Sequence, residues 1–537
     1  MGTPAPDSTF DYIVIGAGSA GCVLANRLSA NPGTSVCVIE AGGRGDDMRI
    51  KVPAGILAIY SNPQFDYVYQ GTPQPELGGR QIFVNRGKAL GGSSAINSMI
   101  YIRGAAEDYD EWEAMGCTGW GWKDVLPVFK AMEKNRIGQN PELHGTEGEL
   151  YVEKQRDPND VSRMFVKAGK NQGLPENEDF NGPSQLGVGI YDVTQKRGQR
   201  FSAYAAYLEP VKDRKNLDIV TGASVQRLVI EEGRVTGVVM SVMGETRTIR
   251  CRREVVLSAG AIASPQILLA SGIGPAEELR AAGIDCAVDL PGVGKNLADH
   301  VDGLISTRSK NPVTLGISGK KLPKVIATPF DYVLRRMGMM TSNLVEAGGF
   351  ARTKYAGDLP DIQFHFFPGF RSIRGKVFEF GHGFALHTCL LRPKSLGEIT
   401  LKPGSGGREI LIDHNFLSAE EDRLTMVDAL KVARGIMDDP AMSELAGVEM
   451  APGRDVQSDD EILDYLRRTV ATVFHPVGTC KMGRDPMAVT DPDTLKVTGL
   501  DNLRVADASV MPKLIGGNTN APSMMIGEMA ARRILAA

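Results

Sequence analysis

Apolar positions along the chain change period several times, and each change predicts an element. The stretch "DYIVIGAGSAGCVLANRLSA" opens on an apolar run, Tyr12 to Ile15, that predicts a strand; it passes a glycine turn and continues with Val23, Leu24 and Leu28 at helical spacing. "TSVCVIEAGG" predicts a second strand ending at Glu40. Further on, Glu254 to Leu257 predicts a strand running into Gly260, with Ser264 as N-cap of a helix from about Pro265 and a stop over Gly272 to Pro275. "GEITL" and "DIQFHFF" alternate as strands, whereas "EEDRLTMVDALKVARGIM" carries the period of an amphipathic helix. Near the end Asp507 closes a strand and "PSMMIGEMAARRI" reads as a helix opening with Pro522.

The glycines between these elements carry candidate chemistry. Gly16, Gly18 and Gly21 form G-x-G-x-x-G between strand and helix, and Glu40 follows at the end of the next strand. That context predicts dinucleotide binding: Gly16 permits a tight turn, Gly18 lets a pyrophosphate approach the backbone at the helix N-terminus, Gly21 allows close packing, and Glu40 reaches ribose hydroxyls. A nucleotide fold needs only one such turn, yet more follow. In "RGKALGGSSAINSMIYIRG" the small residues Gly91, Gly92, Ser93 and Ser94 let backbone amides crowd a ligand, and Ile96, Met99 and Ile100 argue against a solvated loop. "LPGVGKNLADH" turns again, and Asn518 and Asn520 precede the last helix, whose N-terminus suits an anionic or electron-rich group.

Composition narrows the setting. The 537 residues are too many for one compact core, so at least two domains are expected. Net charge is -4 with both signs interspersed, which excludes a nucleic-acid footprint. Seven scattered cysteines without a C-x-x-C pair predict reduced thiols, and the beginning "MGTPAPDSTFDY" has no signal-peptide character. A cytoplasmic protein is expected, with peripheral docking at the inner membrane left open. "TVFHPVGTCKMG" holds His475; no neighbours at zinc-like spacing accompany it and Cys480, so no metal is expected. The residues alone leave a buried structural histidine and a general base both open.

Four motifs, in order, resemble those of the glucose-methanol-choline oxidoreductases over almost the whole chain: "GAGSAG" with Glu40, "RGKALGGSSAIN", "GAIASPQILLASGIGP", and "FHPVGTCKMG" with "GNTNAP". The resemblance implies an α/β fold, an FAD-binding Rossmann-like domain joined to an α+β substrate-binding domain with a mixed or antiparallel sheet. The expected division gives residues 1–155, 213–308 and 461–537 to FAD, and 156–212 and 309–460 to substrate. It implies FAD contacts from Gly16, Gly18, Ser19 and Ala20, from Glu40 and Ala41, and from Arg86, Gly91, Gly92, Ser93, Asn97 and Met99. Val225, Ala259, Asp507, Ala508, Asn520 and Pro522 complete that expectation. Covalent members carry a histidine where this chain has Ile96, so non-covalent FAD is expected.

By motif position His475 faces the flavin and Asn518 sits beside it. Histidine is mostly neutral at cellular pH and can take a hydroxyl proton, while an amide fixes the alcohol oxygen. The implied reaction is oxidation of a primary alcohol to the aldehyde, electrons passing to a quinone, dye or oxygen. Choline or sorbose-type polyol oxidation, an oxidase, and a non-redox lyase or decarboxylase are the alternatives. His300 is expected to cap or pack, and Glu346 to be either a carboxylate at the pocket edge or a solvated charge.

Overall fold

The computed structural model describes residues 5, 7–316, 318–319, 322–370 and 381–537. Two seven-stranded sheets organise them. In the first, strands Leu217–Thr221, Val36–Glu40 and Thr9–Ile15 lie parallel, and Glu245–Leu257 joins them along Thr9–Ile15. The last strand has 13 residues, of which the expected Glu254 to Leu257 is only the end. Its earlier part pairs antiparallel with Arg234–Val242, which in turn pairs with Ala223–Glu231. Leu503–Val505 adds to Leu257's other side, so the two ends of the chain meet in one sheet. The strand Val36–Glu40 is buried throughout, as expected of a parallel strand covered on both faces.

Helix Gly260–Ala270 corrects the expected start: Ser264 is not its N-cap and Pro265 lies inside it. Proline removes the N–H that would bond the carbonyl four residues back. Here that carbonyl, of Ala261, accepts the Thr479 hydroxyl at 2.6 Å instead, and Ser264 Oγ donates to Asp507 at 2.6 Å. Asp507 also accepts from Gly260 N at 2.8 Å, so a side chain far along the chain caps this helix. The final helix is Asn520–Ala536, beginning two residues before Pro522.

The second sheet is antiparallel, in the order Ala446–Ala451, Val301–Ser309, Gly383–Leu390, Ile362–Phe367, Ala347–Ala351, Gly187–Ile190. Strand alternation divides Ile362–Phe367 cleanly. Ile362, Phe364 and Phe366 enter a core with helices Asp160–Asn171 and Glu420–Asp438, where Phe366 stacks on Phe165 at 4.7 Å. Each such buried ring contributes about 2–3 kcal/mol. Gln363, His365 and Phe367 point the other way, toward the first sheet. Ala471–Thr472 pairs with Val301 and Asp302, which delivers the next residues of the chain to the gap between the sheets.

Candidate active site

The glycine turn after Thr9–Ile15 is held by what surrounds it. Gly16 has φ +93°, and a Cβ there would stand 2.6 Å from Ser258 O; a Cβ on Gly21 would stand 1.9 Å from Gly16 O. Gly18 differs: a Cβ would meet only Ser258 O, at 3.8 Å, so its surface is open. The helix Ser19–Leu28 has no side-chain cap at Gly18, leaving its N–H groups for a ligand. Glu40 closes the turn, accepting from Ala17 N at 3.0 Å and Gly42 N at 2.8 Å. Burial pushes its carboxyl up to about 7 against the pull of those two N–H groups.

These residues border a cavity of about 610 Å³. Of the expected contacts, Gly16, Gly18, Ser19, Ala20, Glu40, Ala41, Arg86, Gly92, Ser93, Val225, Ala259, Asp507 and Ala508 lie in its wall. Asn97, Met99 and Asn520 line an adjoining cavity of about 250 Å³, which shares Ser19, Arg86, Ser93 and Ala508 with the first. Gly91 stands behind the wall, its N–H bonded to Ala17 O at 2.7 Å, and Pro522 is buried in the last helix.

The second cavity carries His475. Its backbone is clamped: His475 N donates to Asp299 at 2.9 Å, Phe474 N to Thr472 Oγ1 at 2.7 Å, and the Arg86 guanidinium to Phe474 O at 2.8 Å. Phe474 adopts φ +68°, a strained value for a non-glycine residue that these bonds impose. Asp299 also accepts the Thr472 hydroxyl, and burial pushes its carboxyl up to about 7.

Around the imidazole, hydrogen bonds determine the tautomer. His300 Nε2 lies 3.2 Å from Ile515 O, and a carbonyl only accepts, so Nε2 carries the proton. Burial holds His300 neutral, its pKa down at about 3, leaving Nδ1 as acceptor. His475 Nδ1 stands 3.0 Å from it and therefore donates. His475 Nε2 is left with a lone pair, 3.2 Å from Asn518 Nδ2. Burial first, then the nearby His300, His365 and Arg86, keep His475 well below the usual histidine range, so this imidazole is neutral. Gln363 Nε2 donates to Asn518 Oδ1 at 3.1 Å and thereby turns the amide N–H toward His475.

The rest of the wall is largely apolar: Ile56, Leu57, Leu344, Val345, Phe367 and Phe474. Asp302 also lines it, engaged by His387 Nδ1 at 2.6 Å. Glu346 departs from both expectations. It is neither at the pocket edge nor solvated but buried, accepting from Asn159 N at 2.6 Å and from the hydroxyls of Ser162 and Ser342. His300 is not a mere packing residue, since it touches His475. Gln363 was not singled out by sequence at all; its only signal was its place among the alternating residues of "DIQFHFF".

A glycine turn at an uncapped helix N-terminus, a buried acid that closes it and a histidine–amide pair in the adjoining cavity are features of a dinucleotide-dependent oxidoreductase. The chain belongs to the GMC oxidoreductases, whose N- and C-terminal halves match over residues 10–302 and 393–527. It is 45% identical over 528 residues to the alcohol dehydrogenase (acceptor) of Pseudomonas putida, spanning 98% of this chain and 96% of that one. It is 41% identical over 536 residues to the oxygen-dependent choline dehydrogenase of Rhizobium etli, spanning 98% and 95%. Among solved structures, pyridoxine 4-oxidase from Mesorbium loti superposes with a TM-score of 0.88 at 32% identity, covering 98% of this chain and 99% of that one. A structure concerned with FAD modification in Aspergillus oryzae formate oxidase gives 0.91 at 27%, covering 99% of each.

The cofactor is FAD, and the residues fit it: an open Gly18, an uncapped helix N-terminus and Glu40 border the larger cavity, which abuts the His475 cavity. Ile96 lines the smaller cavity and offers no atom for a covalent link, so FAD is bound non-covalently.

Proposed function

We propose that the protein is an FAD-dependent dehydrogenase of neutral primary alcohols, with His475 as base and Asn518 as the group that orients the alcohol oxygen. The observation that carries this reading is the fixed lone pair on His475 Nε2, 3.2 Å from the Asn518 N–H donor, in the wall of the smaller cavity, which adjoins the larger one. When bound, FAD supplies the hydride acceptor. The alcohol O–H donates to His475 Nε2 while its oxygen accepts from Asn518 Nδ2, so one oxygen replaces the bond these side chains now make to each other. Proton loss to His475 raises the electron density on that oxygen as the C–H bond weakens. Asn518 and Gln363 hold the C–H direction, and the apolar wall excludes water.

The same reading gives the first sheet's contacts, from Gly16 to Ala508, to the cofactor, and the expected division of the chain into FAD and substrate stretches follows from it. Ile56, Leu57, Leu344 and Phe367 suit an aliphatic chain. A quaternary ammonium calls for an unmatched carboxylate, and Asp302 is already engaged by His387. Anaerobic addition of 1-alkanols, aryl alcohols, choline and sorbose to the yellow protein tests this. Bleaching by neutral primary alcohols, with slow recolouring in air, is expected; bleaching by choline alone would reassign the substrate, and fast recolouring with peroxide would make the protein an oxidase.

A further inference from the structure

Four arginines are buried among the described residues: Arg103, Arg200, Arg434 and Arg504. Three are answered by a carboxylate. Glu133 bonds Arg103, Glu449 accepts from Arg434 at 2.9 Å, and Glu254 takes Arg504 with both oxygens, at 2.6 and 2.9 Å. Arg200 has only neutral acceptors. Its Nε donates to Ile50 O at 2.9 Å, and its Nη1 to Asn97 O at 2.6 Å, Asn97 Oδ1 at 2.9 Å and Ser94 O at 3.3 Å. Its Nη2 is buried without a hydrogen-bond partner among the described residues. Burial alone moves its pKa, down to about 9, and no acid raises it again, so at neutral pH the charge is present and uncompensated. A buried charge is costly until something of opposite sign faces it.

Its place says what faces it. Arg200 ends the strand Gln199–Arg200 and holds residues 94–97 from behind. On the other side this segment belongs to the site, since Ser93, Ile96, Asn97, Ser98 and Met99 line the cavity that carries His475. One side chain, Asn97, bonds the guanidinium and borders that cavity. Other basic groups nearby are already settled. Burial holds His475, His300 and His365 below the usual histidine range, and Arg86, in the walls of both cavities, has Asp299, Asp507 and Asp66 around it.

Oxidation of an alcohol sends a hydride to FAD and a proton to His475, so the cofactor gains one negative charge. We propose that Arg200 is the counter-charge to reduced FAD, acting through the Asn97 wall to raise the reduction potential and favour hydride transfer. This rests on the flavin lying beside His475, as proposed above. A charge in a dry interior acts beyond hydrogen-bond distance, and charge near a flavin ring is one of the ways a protein sets its electronics.

The test is the two-electron reduction potential of the FAD-loaded protein, measured by anaerobic titration against a redox dye. No alcohol is present, so a wrong substrate or a wrong base leaves this result untouched. R200K and R200Q both lose the fork that holds Ile50, Ser94 and Asn97, but only R200Q loses the charge. At pH 6, which favours a charged lysine, R200Q should be at least about tenfold harder to reduce at equilibrium, a fall of about 30 mV for two electrons. R200K should stay within about threefold of wild type. R200M, neutral and without a polar group to bury, should fall with R200Q. Equal falls in R200K and R200Q, or a wild-type potential in R200Q, overturn the proposal and leave Arg200 as a clamp on residues 94–97. Failure of R200K, or of both neutral variants, to hold FAD overturns it too, because the residue would then serve the fold.

Discussion

The two sheets contribute to one site by different means. In the first sheet the backbone faces the larger cavity: at the ends of Thr9–Ile15 and Val36–Glu40, open N–H groups and glycine surfaces border it, and Glu40 is held by two further N–H groups. In the second sheet it is side chains on one strand face that turn to the site, with Gln363 and His365 facing the gap and Phe364 and Phe366 in the core. The difference teaches what each region tolerates. A backbone cradle fails when anything is added to it, whereas a side-chain face fails when one functional group is removed.

The strongest break is therefore an addition to the first sheet. Gly21→Leu places a Cβ where 1.9 Å separates it from Gly16 O, and no side-chain rotation relieves a backbone clash. The turn must open, and protein that purifies at all is expected to be colourless, read from the ratio of flavin to protein absorbance. A yellow Gly21→Leu protein would mean that the turn does not hold the cofactor.

A deletion on the other side should leave colour intact and remove chemistry. His475→Ala is expected to keep its flavin but to slow anaerobic flavin reduction by about 10²- to 10⁴-fold, the range of a lost general base. Near wild-type reduction would remove His475 from that role. Gln363→Leu is smaller and more discriminating, because it acts through Asn518. Losing the bond that orients the amide should lower kcat about tenfold with KM and flavin absorbance little changed. Restoration by Asn at 363 is not expected, since the shorter side chain cannot reach Asn518; a wild-type kcat in Gln363→Leu would make the contact purely structural.

The same contrast explains what sequence could reveal. Glycines that serve a backbone cradle leave a local signature, and Gly16, Gly18, Gly21 and Glu40 were legible together within one strand–turn–helix unit. His475 and Asn518 were legible through motif resemblance. Gln363 and the role of His300 were not, because each acquires its meaning from strands joined across the chain: Val301 pairs with Thr472, and that pairing brings His300 to His475. Pro265 misled for the same kind of reason. It reads as a helix start until Thr479, 218 residues beyond Ala261, satisfies the Ala261 carbonyl that the proline leaves unbonded. Glu346 was open to two readings because nothing local tells that Asn159, Ser162 and Ser342 will surround a carboxylate.

The smallest expected effect is the absence of one, and it follows from burial. An exposed histidine base loses activity as pH falls through about 6.5, because protonation removes its lone pair. His475 is held well below that value, mainly by burial and then by the nearby His300, His365 and Arg86, beside which a second proton would be unfavourable. Its proton affinity in the folded protein is lower than in water, so it stays neutral and competent below pH 6.5, and the acid limb lies well below. The kcat/KM for a neutral primary alcohol should therefore change by less than about twofold between pH 7.5 and pH 6, whereas a solvated base would lose most of its neutral form over that span. Stopped-flow flavin reduction across this range checks it. A limb centred at 6.5 would mean that water reaches His475 in the working enzyme, and that the second sheet does not seal the site.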